Sequence, residues 1–150
     1  MGNSHTCLRF HIIFGTKDHY PFLTGDLNAR MHQYILGIVK TDGGIPIAVG
    51  GPADHVHLLI SLRPDRAVSD EVRVVKSNSS KWVHETFCEL EKFAWQDGYG
   101  AFTVSESNVE AVTKYIEEQK EHHRKVSFRE EYVAFLRKHG IPFDERYVKG

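Results

Sequence analysis

Two cysteines, Cys7 and Cys88, are all that the 150 residues supply. They stand far apart and in no metal-binding spacing, so neither a disulfide framework nor a thiolate zinc site is available. Long apolar runs are missing as well. No stretch approaches the roughly 18 uninterrupted apolar residues of a membrane span, and the opening Met1-Gly2-Asn3-Ser4-His5 lacks the apolar region of a secretory signal. A cytoplasmic protein without membrane contact is therefore the expectation. A large excess of either charge is also absent, the formal net charge being -1. That argues against a protein that coats nucleic acid nonspecifically, while leaving room for a local basic groove. No glycine-rich phosphate loop occurs, which counts against an ATP-driven mechanism. What remains, 41% hydrophobic and 26% charged, suits one globular domain over residues 1–150 with room for a real core and no second domain.

Period-2 alternation of Leu8, Phe10, Ile12 and Phe14 against Cys7, Arg9, His11 and Ile13 predicts a first strand with a partly polar outer face. Helical spacing of Leu27, Met31, Tyr34, Ile35, Ile38 and Val39 predicts a helix over 26–40, stopped by Gly43 and Gly44. Two strands, 45–49 and 55–62, follow as a hairpin around Gly50 to Asp54. A second helix over about 68–90 carries Val72, Val75, Val83 and Phe87, and crosses a run, Ser77-Asn78-Ser79-Ser80, that is weak in helix propensity and needs packing to stay helical. A fourth strand is predicted over 99–104, and Ser107-Asn108-Val109-Glu110 reads as a capping box opening a third helix to about Arg124. The order βαββαβ plus a further helix is the ferredoxin-like α+β sandwich. It makes one four-stranded antiparallel sheet with two helices on one face and leaves the other face free.

His55-Val56-His57 lies on the third strand, where alternation sends both imidazoles to one face and Val56, Leu58 and Ile60 to the other. Alone, the pair reads more often as an ordinary polar strand face than as half of a small cation's shell, although histidine is a common metal ligand. Tyr115 and Gln119, four apart on the third helix, share a side of it. A phenol is a poor nucleophile unless its electrophile is already polarised, and a metal beside it would do so, with the Gln119 carbonyl as a further ligand. Taken without the histidines, the same pair is a packing residue and a solvated neighbour.

The strand-borne Asp54-His55-Val56-His57-Leu58-Leu59, followed by Tyr115-Ile116-Glu117-Glu118-Gln119, resembles the HUH single-tyrosine transposases of bacterial insertion sequences, the insertion-sequence 200/605 type. His11-Ile12-Ile13-Phe14-Gly15-Thr16-Lys17 resembles that family's first strand. Ser127 to Tyr132, His139-Gly140-Ile141 and Asp144-Glu145-Arg146-Tyr147 resemble its tail, with a short tail helix. The resemblance implies a Mg2+ or Mn2+ ion held by His55, His57 and Gln119, and Tyr115 as nucleophile on single-stranded DNA with hairpin ends. It further implies a 5′-phosphotyrosine intermediate, a released 3′ hydroxyl, and a homodimer in which the tyrosine helix is contributed in trans. The other readings are a noncatalytic hairpin-binding module and an HUH replication initiator or relaxase.

For DNA contact the basic candidates are Arg9, Lys17, Arg63, Arg73, Lys76, Lys81, Lys120, Arg124 and Lys125, with the Ser77 to Ser80 hydroxyls as phosphate donors and Trp82 or Trp95 as a base-stacking platform. An apolar helix stripe accounts for Trp82 equally well. His122 and His123 read either as proton-transfer groups or as exposed helix-end histidines.

Overall fold

The computed structural model describes residues 4–119, 125–144, 146 and 148. Four strands, β1 (Arg9–Gly15), β2 (Ile45–Gly50), β3 (His55–Ser61) and β4 (Gly100–Thr103), form one antiparallel sheet in the order β2-β3-β1-β4. This is the ferredoxin-like arrangement expected from the sequence. Pro46 lies in β2, an edge strand, where its missing N–H disturbs no central ladder, and the register shifts between Pro46 and Ala48.

On one face the period-2 side chains Ile12, Phe14, Val56, Leu58 and Ile60 meet Met31, Ile35 and Val39 of α1 (Gly25–Thr41) and Val72, Val75 and Val83 of α2 (Val68–Thr86). The weak Ser77 to Ser80 run stays helical because α2 is packed along its length. Ser79 is fully buried and turns its hydroxyl back onto the Val75 carbonyl at 2.6 Å, receiving the Trp95 indole N–H at 2.9 Å.

The other face is not free. It is covered by α3 (Val109–Glu117) and α4 (Phe128–Lys138). Ile116 packs with Ala48, Leu59 and Val104, while Phe128 and Leu136 pack with Ile13 and Phe102. Alternation predicted an outer face that was partly polar; Ile13 and Leu59 make it apolar enough to require a cover. The third helix also departs from expectation at its start. A 3-10 turn at Glu106–Asn108 leads into it, Asn108 is its N-cap without a side-chain bond, and it ends at Glu117, the expected stretch over 120–124 lying outside the described residues. The side-chain cap that does form belongs to α4, where the Ser127 hydroxyl accepts the Glu130 N–H at 3.2 Å.

The end of α1 and the start of α2 are tied by a partly buried charge cluster: Arg66 reaches Asp42 at 2.5 Å and the buried Glu71 at 3.2 Å. Burial, with Asp42 nearby, pushes the Glu71 carboxyl up to about 7 against the pull of Arg66. Its folded pKa exceeds its unfolded one, so its contribution to stability is complete below about pH 4.5 and disappears as pH rises through about 7. Glu71→Gln is expected to remove a pH-dependent loss on the order of 1–3 kcal/mol between those limits. Denaturant midpoints of both proteins across pH 4.5–8 would check this; parallel curves would refute it.

Candidate active site

β3 delivers His55 and His57 side by side beneath the cover, both wholly buried. His57 is registered against Ile13 on β1 and Gly50 on β2, in the middle of the sheet. Each imidazole is held at its Nδ1 side: that of His55 hydrogen-bonds Asp54 at 2.8 Å, and that of His57 hydrogen-bonds His11 Nε2 at 2.8 Å. The two Nε2 atoms therefore converge on one point, where an oxygen of Glu131 stands 3.2 Å from His55 Nε2 and 2.9 Å from His57 Nε2. Phe128, one turn earlier on α4, stacks flat on the His55 ring at 3.9 Å between centroids.

The other Glu131 oxygen accepts the Tyr115 hydroxyl. Tyr115 is half-buried, its ring 5.8 Å from that of His57. It is brought there by α3, whose close approach to β2 is possible because Gly50 has no side chain: a Cβ there would run into the Ile116 carbonyl oxygen. Gln119 follows just past the end of α3, buried, with its amide N–H donating to the Tyr115 carbonyl at 3.2 Å. Its Oε1 is buried and has no hydrogen-bond partner among the described residues.

The electrostatics follow from burial and from one carboxylate. Burial lowers the His55 pKa, but Asp54 and Glu131 outweigh it and the net shift is upward. His11 is held well below the usual histidine range by burial and then by its neighbour His57, so it is a neutral imidazole. The Tyr115 hydroxyl is pushed up by burial and then by Glu131, with Gln119 opposing.

His55, His57 and Glu131 each offer one ligand atom, and these lie within 4.8 Å of one another. Ligands sharing one cation at about 2.1 Å stand roughly 3.0–3.5 Å apart, close to the 3.2 and 2.9 Å between Glu131 and the two imidazoles. Two imidazoles with a carboxylate suit a divalent cation such as Mn2+ better than they suit Mg2+, which prefers oxygen. The buried Gln119 oxygen, on the residue that donates to the Tyr115 carbonyl, is a further candidate donor.

The sequence nominated His55, His57, Tyr115 and Gln119; the fold brings Tyr115 to the histidine pair and sets Gln119 against the Tyr115 carbonyl. It missed Glu131. The available signal was an acid inside the apolar stripe Phe128, Tyr132, Phe135 and Leu136 of α4, a position where a carboxylate has to be buried.

Among the described basic candidates, Lys76, Lys81, Arg9, Arg63 and Arg73 are engaged with other partners. Lys76 and Lys81 lie on α2, across the sheet; Lys76 is tied to the Gln96 and Gly98 carbonyls at 2.9 and 2.5 Å, and Lys81 lies 3.9 Å from Glu85. Arg9 pairs with Glu106 at 2.5 Å, Arg63 with Asp65 at 3.3 Å and Arg73 with Asp70 at 3.0 Å. Lys17 and Lys125 are exposed. Neither tryptophan is a free stacking platform. Trp82 stacks on Tyr34 between α1 and α2 at 4.5 Å, and Trp95 packs edge-on against Phe14. Lys120, His122, His123 and Arg124 lie outside the described residues. Among the described residues no helix is long and apolar enough to cross a membrane.

A cavity of about 460 Å3 opens beside Tyr115, lined by His11, Phe102, Val112 and Phe135 with Asn108 and Lys138 among its polar groups.

Comparison with known proteins finds transposases. The chain is 29% identical over 117 residues to the ISDra2 transposase TnpA of Deinococcus radiodurans, covering 75% of this chain and 84% of the relative. It is 26% identical over 119 residues to the transposase for insertion sequence element IS200 of Salmonella typhimurium, covering 75% and 77%. A crystal structure of a chain assigned as a transposase from Deinococcus radiodurans R1 superposes with a TM-score of 0.65 at 25% identity, over 79% of this chain and 96% of that one. A REP-associated tyrosine transposase bound to a REP hairpin shares the fold, with a TM-score of 0.56 at 17% identity over 77% of this chain and 70% of that one. The family described as transposase IS200 like matches residues 4–119, and with well over half of its length so matched the chain belongs to the IS200-like transposases.

Proposed function

We propose that this chain, acting as one transposase domain, cleaves and rejoins single-stranded DNA at hairpin-flanked sites through a covalent bond to Tyr115. The observation that carries the reading is the single carboxylate of Glu131, which accepts the Tyr115 hydroxyl on one oxygen and faces both histidines with the other. A nucleophile and a ligand set are thereby fixed relative to each other before substrate arrives, which is the positioning that phosphoryl transfer most needs.

His55, His57, Gln119 and Glu131 would hold a Mg2+ or Mn2+ ion, leaving positions open for phosphate oxygen and water. Such an ion supplies charge neutralisation on the nonbridging phosphate oxygens. The strand enters along the cavity beside Tyr115. The Tyr115 oxygen attacks phosphorus as its proton passes to the Glu131 oxygen it already bonds. The bond from phosphorus to the 3′ oxygen breaks, and that oxygen leaves as a hydroxyl after taking a proton from solvent. The 5′-phosphotyrosine keeps the energy of the broken diester, so a 3′ hydroxyl attacking it rejoins strands without a nucleotide cofactor.

Hairpin recognition is drawn from the relative solved on a REP hairpin. Arg9, Lys17 and Arg63, at strand ends, are the proposed phosphate contacts. A homodimer exchanging α3 would make in trans the contact that α3 makes here with its own β2 and β3.

The test is covalent trapping. With Mn2+ and a hairpin-flanked single strand, the protein is expected to give an adduct that survives denaturing electrophoresis, and Tyr115→Phe to give none while still binding the hairpin. An adduct of undiminished yield with Tyr115→Phe would overturn the reading.

A further inference from the structure

We infer that His11 is a positioning residue for His57: through its Nε2 it fixes the ring so that the His57 Nε2 lone pair points at the cation. The inference rests on the metal-binding reading given above. His11 lies on β1, on the sheet face shared with His57, and is 2% exposed. Its Nε2 stands 2.8 Å from His57 Nδ1. Its own ring is clamped, edge-on to Phe135 at 5.1 Å and to Phe102 and Tyr115 at 6.4 Å, so it cannot follow His57 if the latter turns.

A metal-bound imidazole must leave its ligating nitrogen unprotonated and carry its proton on the other one, and a fixed acceptor at that second nitrogen selects this tautomer. For His55 that acceptor is Asp54, at 2.8 Å. For His57 the corresponding position is filled by His11. To accept the His57 Nδ1–H there, His11 must be a neutral imidazole with Nε2 unprotonated and its own proton on Nδ1. A carboxylate in its place would add a second negative charge beside Glu131. A neutral acceptor directs His57 without doing so.

The surroundings explain why histidine is needed to fill this place. His57 Nδ1 is buried against His11 Nε2 at 2.8 Å. Without His11 the hydrogen bond that fixes this nitrogen is lost, and the ring can turn and lose the aim of Nε2.

Three variants decide it by Mn2+ titration calorimetry without DNA, beside thermal melting. His11→Phe keeps a ring of similar shape and removes the acceptor; it is expected to bind Mn2+ roughly 10–100-fold more weakly, as loss of such outer partners does. His11→Gln, which can place an amide oxygen near the former Nε2, is expected to recover most of the affinity. His57→Ala is expected to lose binding outright. His11→Phe with undiminished Mn2+ affinity, or a loss that His11→Gln does not recover although it melts like the parent, would overturn the role of His11 and leave the metal site intact. Absence of Mn2+ binding in the unaltered protein would instead overturn the metal reading, and the inference with it.

Discussion

Gly50→Ala is expected to slow strand cleavage about a hundredfold while the chain remains folded. A methyl at this position meets the carbonyl oxygen of Ile116 head on, and Ile116 Cγ2 lies 3.2 Å from it. The carbonyl belongs to helix backbone and cannot swing aside, so α3 as a unit has to retreat from β2. Ile116 is adjacent to Tyr115, and a retreat of about 1 Å carries the hydroxyl away from Glu131; misplacement on that scale is enough to cost two orders of magnitude in rate. Overpacking of this kind lowers stability by about 1–3 kcal/mol. The substitution faces α3 and leaves the large core beneath the sheet untouched. Single-turnover nicking measured beside circular dichroism would check it. A folded Gly50→Ala protein that nicks at the parental rate would show that α3 does not work from its place on β2.

The sheet and its two core helices were legible because they obey one rule each. Period-2 alternation in β1 and β3 and 3.6 spacing in α1 and α2 direct apolar side chains to a shared core, and the two-layer order follows from the element sequence. The histidine pair was legible for the same reason: strand alternation alone puts His55 and His57 on one face. Which side of α3 faces them depends on Gly50, whose significance lies in what it lacks and in the helix that approaches it. Glu131 was hidden more deeply. Its sequence distance from His57 is large, α4 reads as a short amphipathic tail, and nothing local says that its apolar stripe lies against the same sheet face as the histidines. The free face expected from the βαββαβ pattern failed on the same point, since the pattern says nothing of helices added after the fourth strand. Lys76 and Trp82 lie on α2, which packs on the sheet face away from the histidines, a placement that charge and aromaticity alone do not give.

Removing divalent metal is expected to abolish cleavage and to lower the melting temperature of the folded protein. The Glu131 carboxylate faces the two histidines at 3.2 and 2.9 Å. Binding must displace the proton that Asp54 and Glu131 favour on His55, since an imidazolium has no lone pair to give. Affinity should accordingly rise with pH until His55 is neutral. An ion that binds the folded chain and not the unfolded one stabilises it by about 2.7 kcal/mol at a hundredfold excess over its dissociation constant. For a chain of this length, that is an upward shift in melting temperature of roughly 5–10 °C. His57→Ala should erase both the shift and the cleavage. Between the oxygen donors, Glu131→Gln should reduce the shift more than Gln119→Ala, because a buried carboxylate attracts a divalent ion far more strongly than an amide oxygen does. Melting curves of the parent and the three variants, with Mn2+ and with chelator, decide the order. A larger loss in Gln119→Ala would make the amide the principal oxygen ligand and leave Glu131 as the group that receives the Tyr115 proton.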